Sequence, residues 1–254
     1  MPQAITRDIP QSLPQCQLTH IDREPIDVDR AAWQHRQYLD WLGAAGVAVT
    51  MLPAEASMPD SAFVEDCAVV LDQLALVPQM GAAARRPETA AIEKELAKYR
   101  PIRRLDANCT LDGGDVLTIG RSVYVGISKR TTETAAHHIQ DLLGPMGYTV
   151  TIVRVTGCLH LKTGCARLDD ETVICNPDWI DSEQFTKREV LHVPASEPFG
   201  AGILSLGNAV LVPAEFPATA QLISERGLSV DRVNFSEFLK AEAGPSCLSI
   251  IFDA

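Results

Sequence analysis

An α/β fold of recurring hairpin–helix–strand units is predicted by three observations. Four pairs of short apolar runs are each split by turn residues. Helical patterns follow several of the pairs. The pairs recur every roughly 35–50 residues, the range in which repeat architectures arise. A closed radial arrangement of such units leaves few exposed sheet edges. A plain α/β sandwich is the competing arrangement, because the units share little sequence identity. No linker or low-complexity stretch interrupts the pattern, so residues 1–254 are read as one domain.

The elements follow in order. "DVDRAAWQHRQYLDWLGAAG" is expected to be a helix with Trp33, Tyr38, Trp41 and Leu42 toward the core and glycine at its end. "VAVTML" follows as a short buried strand. "CAVVLDQLALV" is the first hairpin. "GDVLTIGRSVYVG" is the second, turning at Gly120-Arg121. "CARLDDETVIC" is the third, turning at Asp169-Asp170. "ILSLGNAVLV" is the fourth, turning at Gly207-Asn208, a dipeptide suited to a tight turn. "RPETAAIEKELAKY" is expected to be helical with Pro87 in its first turn. "TTETAAHHIQDLLG" should close on Gly144, and "PATAQLISERG" on Gly227.

Composition narrows the function. The chain is 46% hydrophobic and 22% charged, which is ordinary for a soluble globular protein. No apolar run approaches membrane-span length, and the opening residues lack the basic-then-apolar pattern of a signal peptide. Seven cysteines without a regular framework or a CxxC pair are expected to be free thiols in a reducing, cytoplasmic setting. Thioredoxin-like redox chemistry and zinc ribbons are thereby disfavoured. A net charge of −11 argues against nucleic acid and agrees with a small cationic substrate, although acidity also serves solubility.

Four stretches carry residues able to do chemistry. "PDSAFVEDC" places Asp60, Glu65 and Asp66 directly against an apolar run. Acids that enter a core with a strand need a cation or donors, unless the stretch is merely a solvated loop. In "LDGGDVL", Asp112 and Asp115 flank two glycines, which suit either close backbone approach or an ordinary turn. In "CLHLKTGC", strand alternation puts His160 on the face opposite Leu159 and Leu161. Cys158, His160 and Cys165 match no standard zinc spacing, and the cysteines could equally be core. "AGPSCLSIIFDA" presents Cys247 just after a Gly-Pro turn. Cys247, His160 and a carboxylate such as Asp112 make a candidate nucleophile, proton shuttle and orienting group.

Together these stretches resemble the dimethylarginine dimethylaminohydrolase family, within the wider guanidine-modifying group of arginine deiminases and amidinotransferases. The resemblance runs nearly end to end, through "PDSAFVEDC", "CTLDGGDVLTIGRSVYVGISKRT", "LHLKTG" and "GPSCLSI" in that order. It implies a five-bladed α/β propeller of ββαβ units around a central active site. It implies Cys247 as nucleophile, His160 as proton shuttle and Asp112 as the carboxylate beside it, with no metal and no organic cofactor. It puts Asp66 and Asp112 on the substrate guanidinium, with Glu65 supporting the site at its edge. Arg85 and Arg130 are expected on the substrate carboxylate. Asp60 is expected on the α-ammonium group, helped by the backbone near Leu18 and Ala241. The implied reaction converts Nω-methylated arginine to citrulline and an amine through a covalent thiouronium. The alternatives are the same chemistry on free arginine or another N-substituted guanidine, and a non-catalytic guanidine-binding protein. The chain departs from the family pattern at Gly202, Ala241 and Pro245, which bear on pocket shape. A homodimer is left open by size alone.

Overall fold

The computed structural model describes residues 1–253 and contains five three-stranded sheets. In chain order the elements are β1 (Pro2–Arg7), α1 (Val28–Ala44), β2 (Ala48–Leu52), β3 (Val69–Val70), β4 (Ala75–Val77), α2 (Thr89–Leu96) and β5 (Ile102–Arg104). Next come β6 (Val116–Ile119), β7 (Ser122–Ile127), α3 (Glu133–Leu143), β8 (Thr149–Arg154), α4 (Leu161–Gly164), β9 (Cys165–Arg167), β10 (Thr172–Cys175) and β11 (Glu189–His192). The last are β12 (Leu204–Leu206), β13 (Ala209–Pro213), α5 (Pro217–Ser224), β14 (Ser229–Val233), α6 (Ser236–Leu239) and β15 (Ile250–Asp253).

Every sheet repeats one plan. An antiparallel pair is joined by a crossover to a third strand that runs parallel to the second. The four hairpins read from the sequence make four of the sheets. In the fourth in chain order, β9–β10–β11, a 3-10 turn at Ser182–Phe185 stands where the others have a helix. The remaining sheet joins the two ends of the chain. β15 pairs antiparallel with β1, Pro2 facing Asp253 and Ile5 facing Ile250, and β1 pairs parallel with β2. The radial arrangement is therefore the one adopted, with five ββαβ-type units rather than a two-layer sandwich.

The innermost strand of each sheet lines the middle. Residues of β3, β6, β12 and β15 enclose a cavity of about 200 Å³ that ends on Glu65, Lys162 and Ser246, and β9 borders the adjoining space. The apolar side chains pack in five clusters. One of them packs Val69 and Leu76 of the second sheet with Val116, Val123 and Ile139 of the third unit. The centre is thereby left for polar groups.

Two local expectations need correction. Trp33 is 47% exposed. The buried stripe of α1 runs through Ala31, Gln34, His35, Tyr38, Trp41 and Leu42, and Trp33 lies about 100° off its neighbour Gln34 on the helix surface. "VAVTML" forms an edge strand, so Val49 and Met51 face outward. α3 ends at Leu143 with Gly144 as its C-cap, as expected, and Gly144 keeps right-handed helical angles. The chain makes one further 3-10 turn, and Gly147 takes the left-handed conformation. Among the described residues no helix is long and apolar enough to cross a membrane.

Candidate active site

Asp66, Asp112 and His160 come from three sheet units and meet at the centre. Asp66 lies in the 3-10 turn Val64–Cys67 just before β3. Asp112 precedes the turn Gly113–Asp115 that leads into β6. His160 has extended backbone angles and directly precedes α4. It is not in a strand, so the alternation expected around it does not apply: Leu161 is buried with it and Leu159 is half-buried. Its Nε2 lies 3.2 Å from Asp112 Oδ2 and its Nδ1 lies 3.5 Å from Asp66 Oδ1. A ring with a carboxylate at each nitrogen is set up as an imidazolium, which donates from both. Burial alone disfavours that charge, but Asp66, Asp115 and Asp112 outweigh it and push the pKa up to about 9. Burial likewise opposes charge on Asp66, yet His160 and Arg85 hold its carboxyl down at about 2.

The two glycines of "LDGGDVL" allow close approach. A Cβ on Gly113 would fall 2.1 Å from the Glu65 carbonyl oxygen. One on Gly114 would fall 2.5 Å from Asp66 Oδ1 and 2.7 Å from His160 Nδ1. The Gly114 N–H donates to Asp66 Oδ1 at 3.0 Å, and the Gly81 N–H to Asp112 Oδ1 at 2.8 Å.

Cys247 lies in the 3-10 turn Pro245–Leu248, which packs on the turn Val64–Cys67. Its thiol pKa is pushed up to about 12 by burial, then by the charges of Glu65 and Asp66. Glu65 is buried and held by two partners. Lys162 Nζ lies 2.7 Å from Glu65 Oε1, and Ser246 Oγ donates to Oε2 at 3.2 Å. Burial raises the Glu65 pKa, opposed by Lys162. Cys158 and Cys165 belong to the apolar cluster with Leu161 and Cys175, so they do not join His160 as ligands. Asp66, Asp112 and His160 do offer ligand atoms within 4.8 Å of one another, the one such grouping among the described residues. Those same atoms are already engaged with each other, with Arg85 and with backbone N–H groups.

Of the residues expected at the amino-acid end, Asp60 accepts from the Gln17 N–H at 3.0 Å, and burial raises its pKa against the pull of Arg85 and Arg130. Arg130 Nη2 donates to Gln17 Oε1 at 3.2 Å. Arg130 Nη1 is buried without a hydrogen-bond partner, its nearest carboxylate oxygen being Asp112 Oδ2 at 3.8 Å. Arg85 is differently placed. Its guanidinium donates to Asp66 Oδ2 at 2.5 Å, to both oxygens of Glu88, and to the carbonyls of Asp60 and Phe63. Leu18 is half-buried and Ala241 is buried, both packed in one apolar cluster. At Gly202, one of the departures, a Cβ would lie 4.0 Å from Gly244 Cα, whereas a Cβ on Gly244 would fall 2.9 Å from the Gly202 carbonyl oxygen, so the close approach ahead of the Cys247 turn depends on Gly244.

Sequence reasoning did not assign Lys162, Glu88 or Asp115. Asp115 is fully buried and accepts from Ser128 Oγ and Thr131 Oγ1 at 2.6 Å and from the Leu161 N–H at 2.8 Å, pinning the backbone next to His160. The signal for Asp115 was present in "LDGGDVL". Lys162 stood within the quoted "LHLK", but its partner lies on another sheet unit.

Comparison with known proteins places this arrangement of five sheet units, a thiol, an imidazole and paired carboxylates among hydrolases of guanidino C–N bonds. Residues 16–192 match the family model described as N,N dimethylarginine dimethylhydrolase, eukaryotic. A dimethylarginine dimethylaminohydrolase of Streptomyces coelicolor is 36% identical over 235 residues, covering 92% of this chain and 90% of that protein. One from Pseudomonas aeruginosa is 32% identical over 228 residues, covering 89% and 90%. The solved structure of a cysteine-to-serine mutant of the Pseudomonas aeruginosa enzyme complexed with citrulline superposes with a TM-score of 0.94 at 30% identity, over 98% of both chains. The chain belongs to the dimethylarginine dimethylaminohydrolase family.

Proposed function

We propose that the protein hydrolyses Nω-methylated L-arginine to L-citrulline and methylamine or dimethylamine. The observation that carries this reading is the buried imidazole held between Asp66 and Asp112, with the Cys247 turn packed on the Asp66 turn. That set can grip a planar cation and protonate the amine it loses.

The resting state is a neutral Cys247 thiol beside a protonated His160. Burial, then the charges of Glu65 and Asp66, hold the thiol proton on. A bound guanidinium brings the opposite charge, offsets them and favours the thiolate. Asp66 and Asp112 accept its N–H groups through charge-assisted hydrogen bonds. The thiolate, its proton released to solvent, adds to the guanidinium carbon and gives a neutral tetrahedral adduct. His160 donates its proton to the methylated nitrogen, the C–N bond breaks and the amine leaves. An S-alkylthiouronium cation remains on Cys247. The now neutral His160 takes a proton from water, the hydroxide adds to the same carbon, and the C–S bond breaks to release citrulline. As the C–S bond breaks, the adduct's O–H proton passes to solvent and ends on the released amine, and the thiolate is reprotonated from solvent, so protons balance.

At the other end, the unpartnered Nη1 of Arg130 supports its assignment to the substrate carboxylate. The bonds of Arg85 support a role in fixing Asp66, and through it His160. Asp60 takes the α-ammonium group, with the backbone of Leu18 and Ala241.

The test offers asymmetric dimethylarginine, monomethylarginine and arginine in parallel and quantifies citrulline, amine and ammonia. Citrulline with dimethylamine, absent in Cys247→Ser, is the expected result. Ammonia from arginine would keep the chemistry and move the substrate. No product from any of the three would refute this reading.

A further inference from the structure

Glu242 follows α6 and directly follows Ala241. It is the one non-glycine residue among those described with a positive φ, at 56°. Residues with a side chain rarely adopt that conformation, and strain of this kind points to a function that requires it. A glycine would adopt it freely, and Gly244 lies two positions on, yet the position holds a glutamate. The side chain is buried, and its carboxylate reaches back across the chain. It accepts from the Thr19 N–H and the His20 N–H at 2.6 Å each, one per oxygen. Both bonds are charge-assisted.

The segment it grips borders the site. Gln17 donates its N–H to Asp60 and accepts from Arg130. Between Gln17, tied to Asp60, and Thr19, tied to Glu242, stands Leu18. One carboxylate thus couples the two backbone stretches, at Leu18 and at Ala241, that come from opposite ends of the chain. Neither stretch is in regular structure that would otherwise fix its position.

We infer that Glu242 is a positioning residue that sets the Leu18 and Ala241 backbone as a joint receptor for the substrate's α-amino group, and so selects α-amino-acid guanidines over simple alkylguanidines. This rests on the proposed methylarginine reading. Glu242 does not touch the reacting carbon, so its effect belongs in binding.

The experiment compares wild type, Glu242→Gln and Glu242→Gly, the last free of backbone strain should the amide variant fold poorly. Substrates are asymmetric dimethylarginine and an N,N-dimethyl-N′-alkylguanidine lacking the amino-acid end. Amide hydrogen exchange at Thr19 and His20 is followed without substrate. The expected result is a KM for dimethylarginine raised tenfold or more, kcat within threefold, kcat/KM for the alkylguanidine unchanged, and faster exchange at both amides. A KM unchanged in both variants, or equal losses on the two substrates, overturns the inference. So does unchanged exchange at Thr19 and His20, which is decisive even if wild type makes no citrulline. That last result would refute the substrate reading instead.

Discussion

Adding a single methyl group at Gly114 should cut catalysis about a hundredfold while leaving the fold in place; the same change at Gly113 should mainly cost stability. The Cβ of Gly114→Ala would lie 2.5 Å from Asp66 Oδ1 and 2.7 Å from His160 Nδ1, where ordinary contact begins at 3.4 Å. Both atoms belong to side chains, so the strain can be relieved by moving them about 0.7–0.9 Å. Displacements of this size at reacting groups reduce rates by about 10²-fold. The Cβ of Gly113→Ala would lie 2.1 Å from the Glu65 carbonyl and 2.8 Å from that of Ala68. Backbone cannot step aside so easily, and overpacking of this kind costs about 1–3 kcal/mol or more. Citrulline production and thermal unfolding, measured on both variants, separate the two outcomes. Gly114→Ala should lose about two orders of magnitude in kcat with Tm within a few degrees of wild type, and Gly113→Ala should lose mainly Tm. A Gly114→Ala enzyme with more than a third of wild-type kcat, or with the larger Tm loss of the two, refutes the reasoning.

Three further outcomes are expected. Alkylation of Cys247 by iodoacetamide in the free enzyme should keep accelerating above pH 9, because the thiol pKa is pushed up to about 12, and Glu65→Gln, which removes a negative charge, should speed it at pH 8; a plateau below pH 8 would contradict this. The imidazole pKa raised from 6.5 to about 9 makes His160 stabilising below pH 6.5, a contribution lost as pH rises through 9. It is on the order of 3 kcal/mol, and urea unfolding at pH 6.5 and 9.5 should show the loss in wild type and not in His160→Ala. Arg130→Ala should raise KM for methylarginine by about 10–100-fold with a smaller change in kcat, the range of one lost hydrogen bond between charged groups, as initial rates will show.

What the sequence discloses follows from how local each feature is. Hairpins are carried by adjacent residues: Gly120 and Gly207 take the left-handed angles their turns need, and both turns are legible. The fifth sheet has no local signature, because its strands lie at opposite ends of the chain. Asp66, Asp112, His160 and Cys247 are legible as chemistry, and the resemblance supplies their roles. Glu242 and Lys162 are not, because each acts on a partner from a distant unit. Trp33 misleads for another reason: hydrophobicity alone overrides the helical stripe, which instead admits Gln34 bonded to Ser236 at 2.9 Å.

The pairing of β15 with β1 has a consequence for how the enzyme matures. Closing contacts between chain ends carries the largest loop entropy of any contact in the molecule. Cys247 lies three residues ahead of β15, so that seam sets where its turn meets the Asp66 turn. Correct placement of the Cys247 turn is therefore tied to closure of the ring between β15 and β1.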